Sequence, residues 1–243
     1  VPIEHLVSGG SIPNDVYGIY VRSLMGDLAR WGMKERIAKQ IIRSVIEKMT
    51  TKVSLNAIAK ENEIGSHNTV MKYLDNMESS FVLNTFYQLD RKKSISRSRS
   101  DKKYYLSDPF IFHALRGWTH GKVDLFRSSV DHLMDSSEKG KMVEMVISDH
   151  LIRFAYEVGP SDIFSHHDKV LFWKKKGSGT EVDLILNMRD ELVPVEVKYR
   201  NSIRSSDLKG IHNFGSGIIV TKGEIKVDRR YSFIPSRMFL LLI

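Results

Sequence analysis

Two neighbouring segments decide the fold of this 243-residue chain: GSGTEVDLIL at residues 177–186 and ELVPVEVKYR at residues 191–200. Every second position is apolar in each segment: Val182, Leu184 and Leu186 in the first, and Val193, Val195 and Val197 in the second. This pattern is typical of β-strands because successive side chains point to opposite faces. The connecting stretch NMRDE, residues 187–191, is short enough for a hairpin turn. The sequence therefore predicts two antiparallel strands that lie side by side.

Both predicted strands carry ionisable residues on the face opposite their apolar residues. Asp183 lies on that face of the first strand, and Glu196 and Lys198 share it on the second. The hairpin brings Asp183 near Glu196. Carboxylate oxygens are the ligands that Mg²⁺ prefers, and a lysine can orient water or stabilise charge on a phosphate. The combination favours metal-assisted phosphodiester hydrolysis. The alternative is a surface ion pair between Glu196 and Lys198, with Asp183 solvated.

A third carboxylate comes from the stretch EKGKMVEMVISDHLIRF, residues 138–154, which predicts an amphipathic helix. Its apolar stripe consists of Val143, Val146, Ile147, Leu151 and Phe154. Glu144 lies at the margin of this stripe. If the helix packs on the sheet, Glu144 completes a cluster of three carboxylates and one lysine.

Residues 34–106 predict a small helical domain that ends in a hairpin. An apolar stripe at residues 37–49 indicates one helix, and two more follow, the last of them capped by Ser66. FVLNTFYQL at residues 81–89 and KYYL at residues 103–106 are rich in residues that favour strands. Three helices followed by a hairpin are the outline of a winged helix.

The net charge of +8 and the pI near 9.5 favour a polyanionic partner. RKKSISRSRSDKK, residues 91–103, holds seven basic residues and one acidic residue. This segment is interpreted either as a phosphate-contacting loop or as a solvated, mobile loop. The candidate nucleic-acid contacts are His67, Asn68, Thr69 and Lys72 on the third helix, and Arg91, Lys92, Lys93, Arg97 and Arg99 in the basic segment.

The phrases VSLNAIAK at residues 53–60 and HNTVMKYL at residues 67–74 resemble the helix-turn-helix part of winged-helix domains. The resemblance implies that the second phrase is a recognition helix for the major groove of DNA. Asp75 and Glu78 on the same helix would oppose a phosphate backbone. A rigid spacer or a protein-docking module is therefore the alternative.

The order of elements over residues 138–222 resembles the PD-(D/E)xK nuclease-like fold of restriction endonucleases and Holliday junction resolvases. That order is a helix, three strands, a helix at residues 205–214 and a strand at residues 217–221. The resemblance implies these roles: Glu144 the acidic residue of the helix, Asp183 the central metal ligand, Glu196 a ligand through its side chain, Val197 a ligand through its carbonyl, and Lys198 the catalytic lysine. Val182 stands where the motif has proline.

A wider set of motifs looks like the C-terminal region of a family of archaeal and bacterial AAA+-type ATPases. Besides the phrases quoted above, the set includes GGSIP at residues 9–13, DLAR at residues 27–30 and YYLSDPF at residues 104–110. The resemblance implies that residues 1–33 are the tail of an upstream ATPase lid or a linker, and that this ATPase domain is a partner in the same protein. The sequence has no G-x-x-x-x-G-K-[ST] motif, so we expect no ATP site in these residues.

The expected fold class is thus an α+β or α/β multi-domain protein. A winged-helix domain at residues 34–106 precedes a restriction-endonuclease-like α/β domain with a central mixed sheet at residues 107–243. The expected function is DNA binding and metal-dependent nuclease activity with Mg²⁺ or Mn²⁺. A catalytically silent docking module that regulates the ATPase is the alternative. The chain has no cysteine and its longest apolar run, residues 238–243, is far below the roughly 20 residues that cross a bilayer, so we expect a cytoplasmic protein.

Overall fold

The computed structural model describes residues 2–160, 165–188 and 191–243. They form two compact units. Unit 1 comprises residues up to 84 together with residues 104–139, and unit 2 comprises residues 85–103 and 140–243. The protein therefore has a mixed α+β architecture with more than one domain.

Unit 1 is mainly helical. Its helices are α1 (Pro2–Gly9), α2 (Asn14–Arg30), α3 (Glu35–Glu47), α4 (Leu55–Glu61), α5 (His67–Ser79), α6 (Pro109–Thr119) and α7 (Leu125–Met134). The predicted cap is confirmed, because the Ser66 hydroxyl accepts a hydrogen bond from the Thr69 backbone N–H at 3.2 Å. The apolar residues of α3 and α5 are buried as their spacing predicts.

The segment predicted as one strand at residues 81–89 forms two strands. Its first part, β1 (Leu83–Phe86), pairs with β4 (Lys103–Leu106) in a two-stranded sheet within the described residues. Its second part, β2 (Gln88–Asp90), forms a hairpin with β3 (Ile95–Arg97) that belongs to a different sheet.

The reason for this difference is the packing of the hairpin. Leu89 is buried in a cluster with Leu171, Trp173 and other residues of unit 2, and Gln88 pairs with Phe172 in parallel orientation. Residues 85–103 therefore lie in unit 2, whereas the sequence analysis assigned them to the domain at residues 34–106.

Unit 2 contains the mixed sheet that the sequence predicts. Its further elements are α8 (Ser136–Val158, of which residues from 140 onward belong to unit 2), β5 (Val170–Lys174), β6 (Glu181–Met188), β7 (Glu191–Lys198), β8 (Gly217–Thr221), β9 (Lys226–Val227), β10 (Tyr231–Pro235) and α9 (Ser236–Leu242). Across the described residues the strand order is β3-β2-β5-β6-β7-β8-β10-β9. β6 pairs antiparallel with β5 and β7, and β8 lies parallel to β7 and β10. The antiparallel β6–β7 pair confirms the predicted hairpin strands. Residues 189 and 190 of the expected turn lie outside the described residues.

The helix expected at residues 205–214 consists of two 3-10 turns, Ser205–Leu208 and Ile211–Phe214. Gly210 lies between them and packs directly on the backbone of Glu181 in β6. A Cβ atom at this position would collide with the Glu181 carbonyl oxygen and would lie 3.0 Å from the Val182 side chain. Glycine therefore permits the close approach of this segment to β6.

This contact predicts that Gly210→Ala destabilises unit 2, whereas Gly223→Ala does not. A Cβ atom at Gly210 meets backbone that cannot move aside, and overpacking of this kind costs about 1–3 kcal/mol. A Cβ atom at Gly223 has nothing within 4 Å. Urea unfolding of both variants and the parent measures the difference. Equal unfolding free energies for the two variants would contradict the packing described.

Candidate functional site

The carboxylates of Asp183 and Glu196 replace backbone hydrogen bonds where β6 and β7 separate. The two strands pair as far as Leu184 opposite Val195. One position further, the backbone N–H of Val197 donates to Asp183 Oδ2 at 2.9 Å, and the backbone N–H of Asp183 donates to Glu196 Oε2 at 3.4 Å. Each of the two carboxylates therefore accepts a hydrogen bond from a backbone N–H group of the neighbouring strand.

The Lys198 ammonium lies among the oxygen atoms of its neighbours. Its Nζ is 2.6 Å from Glu196 Oε1, 3.1 Å from Asp183 Oδ2 and 3.3 Å from the Val197 carbonyl oxygen. The side chains of Asp183, Glu196 and Lys198 are 14%, 6% and 24% exposed. The structure thus brings these three residues together as the strand pattern predicts. The alternative of a solvated surface pair does not agree with their burial.

Burial and neighbouring charges alter the proton affinity of each group. Burial, followed by the charge of Asp183, raises the pKa of Glu196 to about 8 against the opposing effect of Lys198. Burial alone would raise the pKa of Asp183, but Lys198 and Lys103 outweigh it and lower that pKa. Burial alone would lower the pKa of Lys198, but Asp183 and Glu196 outweigh it and raise that pKa. Asp183 and Lys198 are therefore charged at neutral pH, and Glu196 titrates near it.

A second lysine, Lys103, was not identified from the sequence. It is fully buried at the start of β4, with Nζ 2.7 Å from Glu181 Oε1 in β6 and 3.6 Å from Glu144 Oε1 in α8. The ammonium also lies 5.5 Å from the centre of the Phe172 ring. Burial would lower its pKa, but the charges of Glu144, Asp183 and Glu181 together raise it. Lys103 is thus a buried cation of the same cluster.

The signal for Lys103 is present in the sequence but weak. The sequence analysis grouped it with the basic run at residues 91–103. However, it also begins the KYYL strand, where it alternates with Tyr104 and shares a face with Tyr105. All residues of this strand are buried. A lysine on the same strand face as a buried tyrosine requires carboxylate partners, and this is the pattern that could have identified it.

Glu144 lies on the buried face of α8 rather than at its margin. It is 9% exposed and lies one helical turn from Ile147 and Ser148, which are buried as well. The predicted apolar stripe is therefore rotated from the face that the helix buries. The partner of Glu144 in the structure is Lys103. Its role as a metal ligand stays a prediction.

The candidate nucleic-acid contacts of unit 1 lie near the beginning of α5. His67, Asn68 and Lys72 are exposed. Thr69 is half-buried, and its hydroxyl lies 3.1 Å from the Ser66 hydroxyl within the cap. The structure therefore leaves three of the four side chains accessible, and their contact with DNA stays a prediction.

The basic residues of unit 2 lie on an ordered hairpin. Arg91, Lys92, Lys93, Arg97 and Arg99 are all exposed. The backbone N–H of Ser96 donates to Asp168 Oδ1 at 3.1 Å, and Asn187 donates to the Ser94 carbonyl oxygen at 3.1 Å. The structure therefore attaches this segment to the sheet, in contrast to the mobile loop that was one of the two interpretations.

Together, the fold and the site define a two-unit α+β protein with a buried carboxylate and lysine cluster at its mixed sheet. Residues 139–239 match the family model described as "Domain of unknown function (DUF4143)", a domain often found at the C-terminus of AAA-type ATPases. Residues 19–122 match the model described as "Domain of unknown function (DUF8612)". The search of curated proteins and the search of solved structures each gave no match. Among the described residues, no helix combines the length and the apolar character needed to cross a membrane.

The burial of Lys103 predicts that Lys103→Met strongly destabilises unit 2. Removing one partner of a buried ion pair leaves uncompensated charge and costs about 3–5 kcal/mol. Lys174→Met is the matched control, because Lys174 also pairs with Glu181, at 3.0 Å, but is 28% exposed. We expect the control to lose less than about 1 kcal/mol in urea unfolding.

A double variant tests the cause of the expected loss. Lys103→Met leaves the carboxylates of Glu144 and Glu181 without the Lys103 ammonium. Adding Glu144→Gln removes one of these two charges, so the double variant should regain part of the lost stability. If the double variant is no more stable than Lys103→Met alone, lost packing and not charge explains the effect.

Proposed function

We propose that unit 2 is a metal-dependent nuclease-like module that hydrolyses phosphodiester bonds in DNA. In this proposal the chain is the C-terminal effector region of a AAA+-type ATPase and acts in the cytoplasm. One observation carries the proposal. Oxygens of Asp183, Glu196 and Val197 converge on one point, which Lys198 Nζ occupies. The three oxygens lie 2.6 to 3.3 Å from this nitrogen.

The donor set at this point fits a hard divalent cation. Two carboxylates and one backbone carbonyl are oxygen ligands, which Mg²⁺ and Mn²⁺ prefer, and Mg²⁺ commonly uses one or two carboxylates and retains water. Asp183, Glu196 and the Val197 carbonyl would hold the ion, with Glu144 as the predicted addition. A bound ion would supply Lewis-acid polarisation of the phosphate.

Lys198 supplies the positive charge from the protein itself. Its raised pKa keeps the ammonium charged at neutral pH. An ammonium beside the bound phosphate would stabilise the negative charge that develops on it as water attacks and the bond to the leaving oxygen breaks. The surrounding burial strengthens this effect because it excludes competing water.

The DNA-binding part of the proposal rests on two surfaces that we consider separately. The helices α3, α4 and α5 followed by the β1–β4 pair have the element order of a winged helix, and α5 carries accessible polar residues near its beginning. The β2–β3 hairpin presents its basic residues to solvent. The hairpin has the positive charge and exposure that phosphate contacts require, and α5 has the exposed polar side chains that base or phosphate contacts require.

A docking module without catalysis is the second candidate. The observation that favours it is the charge balance of the cluster. Lys198 pairs with Asp183 and Glu196, and Lys103 pairs with Glu144 and Glu181. Groups neutralised in this way stabilise a fold without any metal.

The proposal predicts that the protein cleaves DNA with Mg²⁺ or Mn²⁺ and that Asp183→Asn and Lys198→Met each lower the cleavage rate at least about 100-fold. Asp228→Asn removes an exposed carboxylate of unit 2 and should leave the rate unchanged. Supercoiled, linear and branched DNA are the substrates, and gel electrophoresis is the measurement. A parent protein that binds DNA and cuts none of the three with either metal would favour the docking module.

The basic hairpin gives a separate prediction for DNA affinity. The triple variant Arg91→Ala, Lys92→Ala, Lys93→Ala should bind DNA at least about ten-fold more weakly, with a shallower salt dependence between about 50 and 200 mM, because each lost phosphate contact removes about 0.9 from the slope. The triple variant Lys222→Ala, Lys226→Ala, Arg229→Ala removes equal charge from other exposed positions of unit 2. Fluorescence anisotropy compares the two. Equal losses would indicate that net charge alone attracts DNA.

A further inference from the structure

The ammonium of Lys198 occupies the position where the proposed metal ligands converge. Glu196 Oε1, Asp183 Oδ2 and the Val197 carbonyl oxygen lie 2.6, 3.1 and 3.3 Å from Lys198 Nζ. These are the oxygens that a divalent cation would use. The ammonium has three N–H donors, so it can donate to all three oxygens.

A divalent cation held by all three oxygens would have to lie at the point that the Lys198 ammonium occupies. Each oxygen would have to serve both cations at close range, and like charges repel strongly in a site of low dielectric constant. Backbone N–H groups hold both carboxylates in place: that of Val197 donates to Asp183 Oδ2, and that of Asp183 donates to the other Glu196 oxygen, Oε2. Metal binding therefore requires the ammonium to move rather than the carboxylates.

We propose that Lys198 is a resident cation of the site, which a divalent metal displaces, so that the lysine regulates access of the metal. This inference rests on the proposed function, since it concerns the same site. Of the two buried ammonium groups, Lys198 is the one able to move: its side chain is 24% exposed, whereas that of Lys103 is 0% exposed.

The displaced ammonium requires a new anionic partner. A DNA phosphate at the site provides one, because its negative charge replaces the carboxylates of Asp183 and Glu196 as the partner of the ammonium. DNA should then favour metal binding and metal should favour DNA binding to the same degree, as thermodynamic linkage requires. The regulation is an increase of metal affinity when the substrate is bound.

Calorimetric titration with Mn²⁺ tests the displacement. We expect Lys198→Met to bind Mn²⁺ at least about ten-fold more tightly than the parent, because the oxygens no longer hold an ammonium. Lys174→Met is the matched control, with 28% exposure and a carboxylate partner, Glu181, in the same cluster. It removes the same charge without freeing these oxygens, so its affinity should change less than about three-fold.

The outcomes separate the inference from the proposed function. A parent that binds Mn²⁺ together with a Lys198→Met variant that binds equally or more weakly overturns the inference alone. No binding by either protein overturns the metal site, and the inference with it. Tight binding by the variant and weak or undetectable binding by the parent supports the inference.

A second measurement uses the parent protein and does not depend on the folding of a variant. Reductive methylation followed by mass spectrometry reports how accessible each lysine amine is. We expect Mn²⁺ to increase the methylation rate of Lys198 several-fold, while fully buried Lys103 stays unmodified as an internal reference. A Lys198 rate that Mn²⁺ leaves unchanged or lowers would overturn the displacement.

Discussion

The burial of the Lys103 ammonium is the constraint on which the site in unit 2 depends. Removing an ammonium from water costs several kcal/mol, and only well-placed carboxylates offset that cost. Glu144 from α8 and Glu181 from β6 provide them, at 3.6 and 2.7 Å. One lysine at the start of β4 therefore joins a carboxylate of α8 and a carboxylate of β6. It explains why a glutamate lies on the buried face of that helix.

A second constraint acts where the β6–β7 ladder ends. There Asp183 and Glu196 accept hydrogen bonds from backbone N–H groups that would otherwise be buried without partners. Both carboxylates consequently complete the backbone hydrogen bonding at the strand ends. Gly210 adds to this rigidity, because its close approach to the Glu181 backbone leaves β6 little freedom to shift. These backbone contacts position the two carboxylates without any bound ligand.

The sequence predicts the parts of the site that depend on local pattern, and it misses the parts that depend on contacts between distant segments. Alternation along β6 and β7 correctly placed Asp183, Glu196 and Lys198 together, because a hairpin is a local structure. The face of α8 was misjudged since Glu144 is polar and becomes buried only through Lys103, which is 41 positions away in the chain. The sequence predicts one strand at residues 81–89 and a basic loop after it, and it misses the β2–β3 hairpin for a similar reason. β2 and β3 have three residues each, and Gln88 of β2 pairs with Phe172 of β5, 84 positions later in the chain.

Charge balance within the cluster is compatible with catalysis, because its two lysines differ in their freedom to move. Lys103 has no exposed surface and two carboxylates from different elements, so its displacement would unfold the site. Lys198 lies at the end of β7 and is 24% exposed, and its partners Asp183 and Glu196 remain hydrogen-bonded to backbone when it leaves. In the proposed displacement, Lys103 is the permanent cation that stabilises the fold, and Lys198 is the cation that a metal ion would replace. The burial of Lys103 suits a permanent partner of its carboxylates, and the partial exposure of Lys198 gives its ammonium a path away from the ligand oxygens.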